Sequence, residues 1–207
     1  MRSPSVREGL PVRRSEGEPT AMAIGTLDWT SAGMRPDLLA EPVARAVAEL
    51  AGRDGAGDVA VAEIDPELAD TAAFCERYGV DPGESANCVI VAARRAGETR
   101  YAACLVLATT RADVNGVVRR HLDARKISFA PMDDAVTLTG MEYGGITPLG
   151  LPAGWPVLVD EAVAAHPAVV IGSGVRRSKL AVPGSLLAGL GTARVLGLAN
   201  RSENEIK

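Results

Sequence analysis

The chain has 207 residues, 47% hydrophobic and 23% charged, a balance that suits one ordinary domain with a real core. Aromatic residues make up only 3%, so Val, Leu, Ile and Ala must build that core, and the composition argues against a broad platform for stacking bases. The formal net charge of −4 argues against non-specific binding along a DNA duplex and leaves room only for a local basic patch.

Residues 1–22 mix Arg, Glu, Ser, Pro and Gly without an apolar period and read as a disordered extension. Met1 to Pro19 lacks the apolar core of a signal peptide, and no apolar run reaches the ~20 residues that span a bilayer. No membrane partner is therefore expected. Cys75, Cys88 and Cys104 are odd in number and show no CxxC spacing, against a disulfide framework or a zinc site. Their apolar surroundings read as core kept reduced, and the expected location is cytoplasmic.

In chain order, Leu38, Leu39, Val43, Ala46, Val47 and Leu50 repeat at helical spacing, with Gly52 as a stop. Val59 to Ile64 reads as a strand. Asp65-Pro66 offers an N-cap and a first-turn proline for a helix ending at Gly79. Strands at Asn87 to Ala93 and Arg100 to Ala108 flank Gly97 as a hairpin. Thr110 or Asp113 caps a helix to about Ala124, followed by a strand at Ile127 to Ala130 and a helix at Met132 to Thr139 ended by Gly140. Strands near Val157–Val159 and Ala168–Ile171, a turn at Gly172-Ser173-Gly174, a helix at Leu186 to Leu190 and a strand at Ala193 to Leu198 complete the chain. The predicted class is mixed α/β, with a mainly antiparallel sheet or partial barrel and surrounding helices, and not a doubly wound parallel sheet. One domain is expected over residues 23–200, with a frayed tail at 201–207.

Gly144-Gly145-Ile146-Thr147-Pro148-Leu149-Gly150 fits no regular element. Its glycines permit close approach of a ligand to the backbone, and Pro148 stiffens it. Such a loop either presents oriented N–H and C=O groups to a ligand or is a tight connection without function.

The run LTGMEYGGITPLG, Leu138 to Gly150, resembles the hallmark of the YbaK/prolyl-tRNA editing family, in which a Thr-Gly helix end precedes a Gly-Gly-x-Ser/Thr-Pro-x-Gly loop. The upstream segment from Ala108 to Gly140 and the downstream segment from Pro156 to Ala199 are similar in kind, so the resemblance covers roughly residues 65–199. It implies hydrolysis of the ester joining an amino acid to the terminal adenosine of a mischarged tRNA. That reaction would proceed by positioning and with help from the tRNA ribose hydroxyl, with no metal and no cofactor. An aminoacyl ester is already activated, so an oriented water or hydroxyl with stabilisation of the oxyanion can suffice. By the same resemblance, Gly144, Gly145, Ile146, Thr147 and Pro148 would form the catalytic loop that holds the ester, with Gly150 a further substrate contact. Gly172, Ser173 and Gly174 would form a substrate-binding turn across the pocket, with Ser173 either a polar contact or an ordinary turn residue. The implied partners are the tRNA 3′ end and an aminoacyl-tRNA synthetase, and not DNA.

Two departures stand out. The family's lysine in a Lys-Thr-Leu-Val-type run is replaced by Asn87 in Asn87-Cys88-Val89-Ile90-Val91. A neutral amide thus stands where a charged donor, roughly twice as strong in a hydrogen bond, is usual. Asn87 either serves a different substrate or marks a module that binds tRNA ends, aminoacyl-nucleotides or a protein without turnover. Arg176, Arg177 and Lys179 make the rim after Gly174 more basic than in relatives. They serve either phosphate attraction, with Arg176 as a substrate contact, or a solvated strand edge. Arg119, Arg120, Arg125 and Lys126 form a second basic cluster, facing tRNA or simply solvated. His121 and His166 have no carboxylate at motif spacing, so no triad is expected. Hydrolysis of another small ester in the same pocket is a third reading.

Overall fold

The computed structural model describes residues 24–51 and 59–200. The expected N-terminal extension, the C-terminal tail and the helix stop at Gly52 lie outside the described residues.

The first sheet is built from β1 (Thr30–Ser31), β2 (Ala60–Glu63), β9 (Ser178–Val182) and β8 (Val169–Gly172), in that order and antiparallel throughout. The second has the order β10 (Ala193–Leu196), β7 (Val157–Asp160), β4 (Glu98–Leu107), β3 (Ala86–Arg95) and β6 (Lys126–Phe129). Here β7 runs parallel to both β4 and β10, and the other pairs are antiparallel. Short β5 (Arg111–Ala112) pairs with β11 (Ala199–Asn200). This is the mixed, mainly antiparallel α/β fold that the sequence implies, and neither sheet closes into a barrel.

Period-2 alternation assigns each strand face to a separate apolar cluster. Ala103 and Leu105 of β4, with Ile171 of β8 and Leu180 of β9, face a shared core between the sheets, covered by Val43 and Val47 of α1 (Glu41–Leu50). Ala102, Cys104 and Val106 face the opposite way, under Val114 and Val118. Val170 and Ala181 face Phe74 and Cys75 of α2 (Thr71–Tyr78). Lys179 lies two residues from Ala181 and therefore shares this last face.

Local chemistry explains where elements start and stop. The β3–β4 hairpin turns through Ala96 and Gly97, both at positive φ. The helix expected from Asp65 instead breaks in two. Asp65 caps a 3-10 turn at Pro66–Leu68, and Asp70 caps a new helix, α2, through a 3.1 Å bond from the Ala72 N–H. The segment expected as one helix after Asp113 is a π-helical turn, Val114–Val118, leading into the three-residue α3 (Arg119–His121). The Asp113 carboxylate accepts from both Gly116 and Val117 and so fixes that turn. The helix α4 (Met132–Thr139) ends at Gly140 in the left-handed region. The helices α5 (Glu161–Ala164) and α6 (Gly184–Ala188) follow β7 and β9. Asp160 caps α5 and also accepts from the Leu198 and Ala199 N–H groups, pinning the C-terminal strands to β7.

The charges of Val175-Arg176-Arg177-Ser178-Lys179 read in sequence as a basic rim or a solvated strand edge, whereas Ser178–Val182 forms β9, buried along its length and internal to its sheet.

Candidate active site

The two sheets meet where Ser85, just before β3, bridges Val170 of β8. Beyond this junction they diverge and leave a cavity of about 530 Å³. One wall is the start of β3, from Ser85 to Ile90, and another is the end of β8, from Val170 to Gly172. Ala69, Asp70 and Thr71 at the head of α2 and the backbone of Gly144 and Ile146 complete it. The volume lies in the range of small-molecule sites.

The loop from Gly140 to Gly150 is held by backbone bonds to the turn after β8. The Glu142 N–H donates to the Gly174 carbonyl at 2.8 Å, and the Gly174 N–H to the Gly145 carbonyl at 2.7 Å. Gly172 is required by this contact, since a Cβ there would fall on the Gly145 carbonyl oxygen, well inside contact distance. Gly144 sits at φ +84°, where a side chain would be strained and would also press on the Arg176 guanidinium. Among the described residues, the N–H groups of Gly144 and Ile146 have no protein acceptor.

Arg176 straps the mouth. Its guanidinium donates to the Pro66 carbonyl, at 3.1 Å from Nε and 2.8 Å from Nη2, and to the Tyr143 carbonyl at 3.3 Å, while its own N–H donates to Glu142. Asn87 is half-buried, and its carboxamide oxygen accepts from Thr71 Oγ1 at 2.7 Å. Cys88 beside it is no nucleophile, because burial pushes its thiol far above the usual range. Lys179 reaches the cavity from β9 with 7% of its surface exposed. Its Nζ donates to the Ala69 carbonyl at 2.9 Å and lies 5.2 Å from the centre of the Phe74 ring. Desolvation lowers its pKa to about 8. Among the described residues no group of three or more His, Cys, Asp or Glu side chains is placed to hold a metal ion.

Of the residues that the sequence singled out, Asn87, Gly144, Ile146, Gly172 and Arg176 line this cavity together. Gly145 lies behind it, tied to Glu142 and Gly174. Thr147 is fully buried, its hydroxyl without a partner, and does not line the cavity. Pro148 and Gly150 border a different, smaller hollow of about 210 Å³ beside Trp155 and Leu190. Ser173 is also fully buried, with Oγ 2.7 Å from Ser178 Oγ and donating to the Ser178 carbonyl at 3.0 Å, so it braces the turn from within. Gly174 packs against Ala40 and Val43.

Sequence reasoning missed Lys179 as a cavity residue, reading it as rim charge. The signal was a lone lysine entering the apolar run Leu180-Ala181-Val182. It also missed Phe129, Met132 and Tyr143, three exposed apolar side chains at the cavity mouth.

The cleft, lined by Gly144 and Ile146 of the glycine loop and by polar and apolar residues of both sheets, has the form of a small-molecule site in an α/β domain. Residues 65–189, more than half of the chain, match the aminoacyl-tRNA editing domain, and the chain belongs to that family. Its fold is similar to that of a proposed trans-editing enzyme for prolyl tRNA synthetase, at 23% identity and TM-score 0.63, covering 78% of this chain and 99% of that one. A hypothetical protein, APE2540, is similar at 20% identity and TM-score 0.66, over 77% of this chain and 100% of that one. A proposed signal transduction protein from Marinobacter aquaeolei VT8 matches at 18% identity and TM-score 0.54, over 79% of this chain but 31% of that chain.

Proposed function

We propose that this chain is a trans-acting deacylase that hydrolyses the ester of a mischarged tRNA. The observation that carries this reading is the cavity that Asn87 lines together with Gly144 and Ile146, whose N–H groups have no protein acceptor among the described residues. The terminal ribose and its amino acid would enter between Phe129, Tyr143 and Arg176, with the ester carbonyl turned toward the loop. Water, oriented by the tRNA's own ribose hydroxyl, adds to the acyl carbon. The loop amides stabilise the oxyanion, and the ester oxygen leaves with a proton as the ribose hydroxyl. Proline is one amino acid to test, since a structural neighbour is described as serving prolyl tRNA synthetase, and a synthetase is the proposed source of the substrate.

A second reading draws on Asn87. Its neutral amide, with the oxygen accepting from Thr71, stands where the family has a charged donor, and that loss of charge favours a module that binds the tRNA end without cleaving it. Deacylation of a panel of mischarged tRNAs decides between the two. Turnover above the buffer rate on at least one tRNA is expected. Tight binding with no turnover on any member would favour the second reading, and activity only on small aminoacyl esters would favour a tRNA-independent esterase.

A further inference from the structure

We propose that Lys179, reaching in from β9, is the substrate-binding cation of this cavity, donating to the carbonyl oxygen of the aminoacyl ester and supplying from the opposite sheet the charge that Asn87 does not supply from β3. This rests on the deacylase reading above.

The ammonium has three donors. One goes to the Ala69 carbonyl, and the Phe74 face lies beside the group. Among the described residues no carboxylate lies within ion-pair distance of Nζ, and Lys179 lines the same cavity as Asn87 and Gly144. A buried cation that borders a cavity with donors left unspent is costly unless an electron-rich ligand completes its shell. An ester carbonyl does so in the ground state, and more strongly as its oxygen takes up negative charge in the transition state.

The charged and titratable groups around Lys179 agree with this role. From α2 it faces Asp70 and Cys75, and from the segment before β9 it faces Arg176. Asp70 spends one carboxylate oxygen capping α2, and Cys75 is held as a thiol by burial. Asn87 is neutral, and Cys88 on β3 stays protonated. No group on these elements neutralises Lys179 by direct pairing, so the site favours an incoming oxygen of partial or full negative charge.

The test compares the full-length wild type with Lys179→Met and Lys179→Arg. It measures kcat and KM on mischarged tRNA, and separately the affinity for adenosine carrying an amide-linked amino acid at its 3′ oxygen position, which cannot be hydrolysed. For Lys179→Met, kcat is expected to fall by about 100-fold with KM for tRNA changed less than about threefold, and Lys179→Arg should recover part of the loss. The wild-type advantage over Lys179→Met, in kcat and in analogue affinity, should shrink as pH rises through about 8, where the cation loses its proton. A bracing role toward Ala69 and Phe74 alone would lower thermal stability without producing this pH dependence. If Lys179→Met retains wild-type turnover and affinity, the inference falls and the deacylase reading stands. A wild type that cleaves nothing yet binds the analogue with Lys179- and pH-dependence removes the deacylase reading and keeps Lys179 as the ligand's cation. Should Lys179→Met fail to fold, wild-type analogue affinity that is flat from pH 7 to about 10 overturns the inference on its own, as does a wild type that neither cleaves nor binds.

Discussion

Folding takes the Lys179 ammonium out of water and returns one carbonyl bond and one aromatic face. Desolvation lowers its pKa from 10.5 to about 8. Below about 8 both folded and unfolded chains hold the proton, and the folded state bears the full cost of burying the charge. Between about 8 and 10.5 the unfolded chain binds more protons, so stability rises with pH across that window. Lys179→Met is therefore expected to stabilise the protein at pH 7 by ~1–3 kcal/mol, with the gain fading as pH passes 10. Urea melts at pH 7 and pH 10 measure it. A residue that lowers stability where it stands, inside a cavity, is the pattern of a functional site that trades stability for activity. Ser173 is the converse case. In sequence it reads as either a polar contact or an ordinary turn residue, and its hydroxyl is spent wholly on Ser178 and neighbouring carbonyls.

Between elements, the pocket depends on two backbones meeting without side chains. Gly172→Ala would drive a methyl into the Gly145 carbonyl, and backbone cannot swing aside as a long side chain can. The expected result is a loss of ~2–3 kcal/mol in thermal or chemical melts, with deacylation lost as the loop is pushed out of register. Elements with strong local signals were legible. The helix at Met132 to Thr139 has matching bounds because Gly140 caps it, and Gly97 marks the hairpin. The helices after Asp65 and Asp113 read as continuous in sequence, the first from its Asp65-Pro66 start and Gly79 stop, the second from the spacing of Val114, Val117, Val118 and Leu122. In the structure a second cap at Asp70 and the clamp of the Asp113 carboxylate on Gly116 and Val117 override those signals. Part of the candidate site was legible for the same reason: Gly144 to Gly150 has an unmistakable composition. Which of its residues face the cavity was not, because that depends on the Gly174–Gly145 contact between segments far apart in sequence. Lys179 and Asn87 likewise come to one cavity only through the docking of one sheet on the other.

For the whole molecule, net charge conceals an uneven surface. Arg119, Arg120, Arg125 and Lys126 are all exposed and lead directly into β6, whose last residue, Phe129, lies at the cavity mouth. Three residues of strand put Lys126 about 10 Å from Phe129, a fitting distance for the phosphates behind a terminal nucleoside. The double variant Arg119→Glu/Arg120→Glu is expected to raise KM for tRNA about five- to tenfold at low salt, leaving kcat unchanged. The difference should narrow by roughly 200 mM salt, and steady-state kinetics across a salt series checks both.

The pairing of β2 with β9 sets a timetable for biosynthesis. Ala60 lies opposite Ala181, and the other strand paired with β2 is the two-residue β1. A ribosome must therefore translate past Val182 before the first sheet can zip. Long-range pairing of this kind slows folding and leaves an emerging strand bare for many seconds. On a nascent polypeptide β2 thus waits for its main partner, and the cavity that Lys179 of β9 helps to line comes into being only afterwards.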